Sequence, residues 1–206
     1  MTAVAVIPAR GGSKRLPGKN LYPVLGVPMI AWAIRACRDA RGISAVYVST
    51  EDEAIARTAR AWGVEVIDRP AALAEDAVPK QAAIVHAVEQ LAAQGRAFDL
   101  IVSVQPNSPE LTGSDLDRGI DKLRVRDLWE VFSVDSELIQ NGAFRAMRRE
   151  TALRRTLSAH CGVVVVDCID VHTAEDVARA EARLAARGAR RPELDAVTAA
   201  TGRGRS

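Results

Sequence analysis

Between positions 8 and 20 the chain reads Pro-Ala-Arg-Gly-Gly-Ser-Lys-Arg-Leu-Pro-Gly-Lys-Asn. Arg10, Lys14, Arg15 and Lys19 put four cations within ten residues, interleaved with Gly11, Gly12 and Gly18. Glycine lets backbone approach a ligand closely, and amides exposed in such a loop can cradle an anion. Cations crowded together repel one another unless an anion joins them, and a triphosphate carries enough charge to reward the arrangement. The competing reading is a solvated basic loop. It is disfavoured because the segment directly follows the first apolar run, where a ligand crevice is expected. The spacing is neither Gly-x-Gly-x-x-Gly nor Gly-x4-Gly-Lys-Ser/Thr, so a dinucleotide fingerprint and an ordinary P-loop both match poorly.

Such a loop needs rigid supports on either side. Short valine-rich runs predict strands at 3–7, 45–49, 64–67, 100–104, 130–134 and 162–166, most of them continuously apolar, as buried parallel strands are. Longer amphipathic stretches predict helices at 28–40, 52–62, 80–93, 113–124 and 174–187, with Pro28 as a first helical residue. Thr173 followed by Asp176 resembles a capping box, with Asp in place of Glu or Gln. This alternation predicts an α/β fold: a three-layer α/β/α sandwich around a mostly parallel, Rossmann-like sheet. Ligands of such sheets sit beyond the carboxyl ends of the strands, so the loops after the first, fourth and last strands are the ones to examine. One domain is expected over 1–187, with 188–206 as a flexible tail dispensable for chemistry.

Composition narrows the function classes. The 206 residues are 48% hydrophobic and 26% charged, which suits one globular unit with a sizeable core. A net charge of +2 argues against nucleic acid or a membrane surface as partner, so basic sites must arise by local clustering. Three cysteines (Cys37, Cys161 and Cys168) are an odd set that argues against a disulfide framework and, with no signal-like leader or long apolar span, points to the cytoplasm.

The segment Ile-Pro-Ala-Arg-Gly-Gly-Ser-Lys-Arg-Leu-Pro-Gly-Lys-Asn ending at Asn20 resembles the signature of the acylneuraminate cytidylyltransferases, the CMP-sialic acid synthetases and their relatives. Further matching stretches are Val-Ser-Thr-Glu-Asp-Glu at 48–53, Arg69-Pro70, Val-Gln-Pro-Asn-Ser-Pro at 104–109, Asn-Gly-Ala-Phe at 141–144 and Ile-Asp-Val-His-Thr-Ala-Glu-Asp at 169–176. The resemblance implies a nucleotidyltransferase sheet and a reaction of CTP with an acidic acceptor, a sugar acid such as a sialic acid relative, giving a CMP-conjugate and pyrophosphate. It implies that Arg10, Gly11, Gly12, Ser13, Lys14 and Lys19 hold the triphosphate. Asn20 and Arg69 would read the cytosine, and Gln105, with Asn107 and Ser108, would contact the acceptor. Arg10, Lys19 and Asp170 are the implied catalytic residues, Asp170 as a ligand of Mg²⁺.

Two departures stand out. The second metal-binding aspartate of the family falls at His172. Magnesium prefers oxygen ligands, so either His172 lies outside the metal's inner shell, or a softer ion such as Mn²⁺ or Co²⁺ is accepted, or catalysis is impaired. Between Asp135-Ser136-Glu137 and Asn141-Gly142 the family usually carries a few dozen residues that build the acceptor pocket and a subunit-pairing arm; here about four remain. Glu110-Leu111 also replaces the usual Leu-Arg, removing a cation. These changes point to a smaller or differently charged acceptor, with a phosphonate as the alternative class. They leave a homodimer open although its arm is missing, and they motivate a non-catalytic nucleotide- or partner-binding relative as a second alternative.

Other clusters carry less. His160, Cys161, Cys168, Asp170 and His172 do not match zinc spacing, because 163–166 reads as a core strand, and the cysteines read as small buried hydrophobes. His86 reads as structural. Trp32, Trp62 and Trp129 read as core or interface residues. Arg145, Arg148, Arg149, Arg154 and Arg155 read equally as a solvated helix face or an anion site.

Overall fold

Short runs rich in β-branched residues pair into sheet because side chains on both pleat faces are then buried while every backbone group finds a ladder partner. In the computed structural model, which describes residues 1–154 and 158–194, the first run forms β1 (Ala3–Pro8). A two-stranded ribbon of β2 (Pro23–Val24) and β3 (Val27–Pro28) follows the basic loop. The remaining strands are β4 (Ile43–Thr50), β5 (Glu65–Asp68), β6 (Leu100–Val104), β7 (Glu130–Val134), β8 (Gln140–Arg148) and β9 (Cys161–Val165). With β1 they form one seven-stranded sheet of order β5-β4-β1-β6-β8-β7-β9, in which only β8 runs antiparallel to its neighbours.

Alternation along β1 sorts the two covering layers. Ala3, Ala5 and Ile7 share a core with α1 (Met29–Asp39), α2 (Glu53–Ala61) and α4 (Gly113–Val125), through Ile34, Ile55 and Ile120 among others. Val4 and Val6 share the opposite core with Ile84, Val88 and Leu91 of α3 (Lys80–Ala93). Short α5 (Arg149–Leu153) adds Ala152 to that second layer. A third cluster joins α6 (Ala174–Ala186) to the β2–β3 ribbon through Val24, Trp32, Val177 and Leu184. The architecture is the expected three-layer sandwich. No helix among the described residues is long and apolar enough to cross a membrane.

The element limits agree with the sequence reading to within two residues for eleven of its segments, and the Thr173–Asp176 capping box is present in full. Pro28 stands one residue before α1 rather than inside it. The main departure is β8. Its arginines suggested a helix face, yet the strand lies inside the sheet between β6 and β7. Arg145 pairs with buried Glu130, its Nε 2.6 Å from the carboxylate, and Arg148 pairs with Asp127, so the cations leave the apolar side chains Phe144, Ala146 and Met147 free to fill the core. Arg155 lies outside the described residues, as do 195–206 of the expected tail. Residues 188–190 return to the body: the Ala189 amide donates to Leu184 O at 3.0 Å, and Arg35 donates to Arg190 O. Trp32 and Trp62 are buried, while Trp129 is half exposed between His160 and Arg154. Cys161 is exposed, contrary to expectation, because β9 is an edge strand.

Gly113, first residue of α4, has a packing reason. A Cβ there would come within 2.5 Å of the Asp39 carbonyl carbon and 2.6 Å of the Ala40 amide nitrogen, both backbone atoms at the end of α1. Gly113→Ala is expected to force these helices apart and to lower stability by about 1–3 kcal/mol, read as a lower urea midpoint. An unchanged midpoint would show that the contact yields freely.

Candidate active site

The carboxyl ends of β1, β4, β5 and β6 lie along one edge of the sheet, and each hands its next residues to a crevice there. After β1 the ladder continues for one step, with the Ala9 amide donating to Ser49 O at 3.0 Å. The chain then passes Asp52 so closely that a Cβ on Gly11 would sit 2.2 Å from Asp52 Oδ2. A side chain there would displace the Asp52 carboxylate that caps α2, and the Gly11 amide donates to Glu51 Oε1 at 2.8 Å. Gly18, at φ 65°, turns the chain into a short 3-10 segment, Lys19–Leu21, which buries Asn20.

The residues implied as base readers converge on neighbouring carbonyls. Asn20 Nδ2 donates to Arg10 O at 2.8 Å, and Arg69 Nη2 donates to Ala9 O at 3.3 Å. Because a carbonyl can only accept, the Asn20 amide group is oriented with Oδ1 turned away, and that oxygen is buried without a hydrogen-bond partner among the described residues. Arg69, 7% exposed, is held by Glu51 through Nη2 at 2.5 Å and Nε at 3.2 Å.

The cations of the loop are spread over three supports. Arg10 and Lys14 share the carboxylate of Asp76, at 2.6 Å and 2.5 Å. Hydrogen bonds from those two cations hold the Asp76 carboxyl below its usual range. Arg15 Nη2 lies 2.9 Å from His172 Nδ1, whose Nε2 lies 2.9 Å from Asp170 Oδ2. Guanidinium only donates, so Nδ1 must accept and Nε2 carries the ring proton toward Asp170. Lys19 Nζ donates to Val171 O at 3.3 Å. Burial lowers the Lys19 pKa; Asp170 opposes this, while Arg15, Lys80 and Arg10 push further down.

The acceptor candidates divide. Gln105 follows β6, its amide donating to Ala143 O at 2.9 Å, and its Oε1 accepts from Lys80 Nζ at 3.1 Å. Asn107 instead lies behind Asp170, donating to Asp170 Oδ1 and, at 3.2 Å, to Val171 O. Ser108 is 1% exposed. Glu110 is buried as well: it accepts from the Ile169 amide at 2.9 Å and pairs with Arg183 at 2.7 Å. Gly12 and Ser13 sit at the loop tip, where the Ser13 amide donates to Gly11 O at 2.9 Å. Burial pushes the Cys168 thiol up to about 12, so it carries its proton at neutral pH.

Sequence reasoning missed Glu51, Asp76 and Lys80. Glu51 and Asp76 are acidic partners of the basic loop separated from it by dozens of residues, and no spacing rule connects them. Burial alone would raise the Glu51 pKa, but hydrogen bonds from Arg69 and the Gly11 amide outweigh it, and the carboxyl titrates below its ordinary 4.5. A carboxyl with a depressed folded-state pKa contributes stability above the unfolded value and loses it as pH falls through the folded one. Glu51→Gln is therefore expected to cost about 2–3 kcal/mol at pH 7 and to flatten the decline of stability below pH 4.5, measured as urea midpoints from pH 7 to 3. Parallel wild-type and variant curves would rule out this role.

The chain as a whole, in sequence and fold, is similar to known cytidylyltransferases. The chain is 36% identical over 130 residues to N-acylneuraminate cytidylyltransferase A of Danio rerio, covering 63% of this chain and 29% of that protein. It is 32% identical over 123 residues to pseudaminic acid cytidylyltransferase of Campylobacter jejuni, covering 59% of this chain and 53% of the relative. The chain thus spans under a third to about half the length of these relatives. Among solved structures, CMP:2-keto-3-deoxy-manno-octonic acid synthetase complexed with CTP superposes with a TM-score of 0.75 at 19% identity, over 91% of this chain and all of the other. A cytidylyltransferase from Leptospira borgpetersenii follows at TM-score 0.69 and 16% identity, over 90% and 87% of the two chains. The cytidylyltransferase family model matches residues 4–183, and by that match the chain belongs to the cytidylyltransferase family.

Proposed function

We propose that the chain transfers a cytidylyl group from CTP to an acidic acceptor, a sugar acid in the manner of its named relatives, with release of pyrophosphate. The observation that carries this reading is the buried, unpartnered Oδ1 of Asn20. An acceptor atom fixed in that orientation suits the exocyclic amine of cytosine, which donates. Uracil presents a carbonyl oxygen at the same place, and two acceptors facing each other repel. Arg69, a donor anchored by Glu51 and Ala9 O, suits the remaining acceptor edge of the base.

The chemistry asks little covalent work of the protein. A hydroxyl oxygen of the acceptor attacks the α-phosphorus, the bond to the β-phosphate oxygen breaks so that pyrophosphate leaves, and the hydroxyl proton passes to solvent. The site's task is to orient the groups and to offset charge on the phosphates. Arg10, Lys14 and Lys19 supply that charge, with Asp76 holding Arg10 and Lys14 in place until a polyanion replaces it. Among the described residues no group of three or more histidine, cysteine or acidic side chains could hold a metal ion, so Asp170 would hold one hard divalent cation, Mg²⁺, by its carboxylate alone, with phosphate and water oxygens completing the shell; such an ion would neutralise phosphate charge. Both ring nitrogens of His172 are engaged, which favours a positioning role, aligning Asp170 and Arg15, over metal ligation.

Two measurements test this. By calorimetry CTP should bind more tightly than UTP, Asn20→Ala should narrow the difference, and Lys19→Ala or Arg10→Ala should weaken CTP by about 2 kcal/mol, roughly thirtyfold. Equal affinity for CTP and UTP would overturn the cytidylyl assignment. For the metal, His172→Asp should leave the ratio of pyrophosphate-release rates with Mn²⁺ and Mg²⁺ unchanged, whereas Asp170→Ala should abolish metal-dependent release. A ratio shifted toward Mg²⁺ would place His172 in the inner shell.

A further inference from the structure

Beside the nucleotide loop lies a second cavity of about 190 Å³, between the start of α3 and the strands β6 and β8. Its polar lining comes from Lys80, Gln81, Ser103, Gln105, Gln140 and Arg145, and among the described residues no aspartate or glutamate lines it. The two cations differ in kind. Arg145 is already neutralised: its Nε donates to buried Glu130 at 2.6 Å, and its Nη1 donates to Gln81 Oε1 at 3.0 Å. Lys80 has no carboxylate partner among the described residues, and its ammonium rests on the neutral amide oxygen of Gln105 at 3.1 Å. Elsewhere in the crevice Arg10 and Lys14 share Asp76, and Arg15 reaches Asp170 through His172. Lys80, an exposed side chain, is thus a cation without a carboxylate partner lining a cavity that holds no acidic residue among the described residues. It is near enough to the nucleotide loop to be one of the charges depressing Lys19.

We propose that Lys80 holds the anionic group of the acceptor, with Gln105 beside it, and so selects an acid as the acceptor for cytidylyl transfer. This rests on the cytidylyltransferase reading above and adds a specificity-determining residue to it. An ammonium that exchanges a neutral amide for a carboxylate or phosphonate gains a charge-assisted hydrogen bond, and the absence of acidic lining removes any competing repulsion. Pockets for small molecules usually enclose about 300–1,000 Å³, so this one takes the charged head of the acceptor and leaves a longer carbon chain outside. Carboxylate and phosphonate share the required chemistry, and the experiment separates them.

The test is calorimetric, on wild type, Lys80→Gln and Lys80→Arg. Each protein is titrated first with CTP and then, loaded with CTP, with 3-deoxy-manno-octulosonate, N-acetylneuraminate and 2-hydroxyethylphosphonate. CTP affinity should be equal in all three proteins, which also shows that the variants are folded. At least one acid should bind loaded wild type, bind Lys80→Gln about tenfold or more weakly, and recover with Lys80→Arg. The acid that shows this pattern identifies the class of anion. Failure of wild type to bind CTP would count against the cytidylyltransferase reading itself. With CTP binding intact, three results overturn the role of Lys80: equal acid affinity in wild type and Lys80→Gln, no binding of any of the three acids, or a loss in Lys80→Gln that falls on CTP instead.

Discussion

Glu51 stands one residue beyond β4, and its carboxylate ties down the ends of two other strands. One oxygen accepts from the Gly11 amide after β1, and the other from Arg69 after β5, whose own amide donates to Thr50 O at 3.0 Å. Removing two such charges from water is costly and is offset only by close geometry and by hydrogen bonds to the remaining atoms. Here Arg69 spends a further donor on Ala9 O, so the pair aligns β1, β4 and β5 with one another and fixes where the basic loop begins. Asn20 takes its orientation from that loop, since its amide bonds Arg10 O one residue further on. The orientations of the two proposed base readers, Asn20 and Arg69, are therefore both tied to this ion pair, of which Arg69 is itself a member.

The same edge concentrates like charge. Four cations of the loop, Arg10, Lys14, Arg15 and Lys19, approach the crevice, and the acids that restrain them come from two separate segments, Asp76 before α3 and Asp170 before α6. The Lys19 pKa is lowered first by burial, and the neighbouring cations add to this against the pull of Asp170. Partial neutralisation keeps the side chains oriented while leaving net positive potential where a triphosphate would lie. The loop after β1 and the loop before α6 meet only because the sheet brings them to a common edge, through the contacts of Lys19 with Val171 O and of Arg15 with His172.

The turn joining β7 to β8 decides the other half of the crevice. Asp135 accepts from the amides of Glu137 and Ile139 at 2.9 Å each, and its own amide donates to Ile139 O at 2.9 Å, closing a tight hairpin with Leu138 at φ 65°. With so short a connection β8 returns antiparallel beside its predecessor, and its Gly142, Phe144 and Arg145 form a wall of the cavity at Lys80. Glu110, which in the sequence suggested a changed acceptor site, is a buried partner of α6, and the cavity proposed for the acceptor is lined by Lys80, Gln105 and Arg145.

Much of this was legible in the order of residues. Buried parallel strands such as β1 and β6 are apolar without interruption, helices such as α6 announce their first turn by Thr173 and Asp176, and a cluster of cations and glycines after a first strand marks an anion site wherever the chain later goes. These features are local: the same few residues carry both the signal and its physical cause. β8 escaped because its arginines are polar in sequence but neutralised in space by Glu130 and Asp127, and a salt-bridged cation in an interior strand looks no different in sequence from a solvated one. Glu51, Asp76 and Lys80 escaped for the same reason. An acid becomes the counter-charge of a distant base, or a lysine is left without one, only when the sheet has brought strand ends together, because electrostatic pairing depends on separation in space and sequence records only separation along the chain.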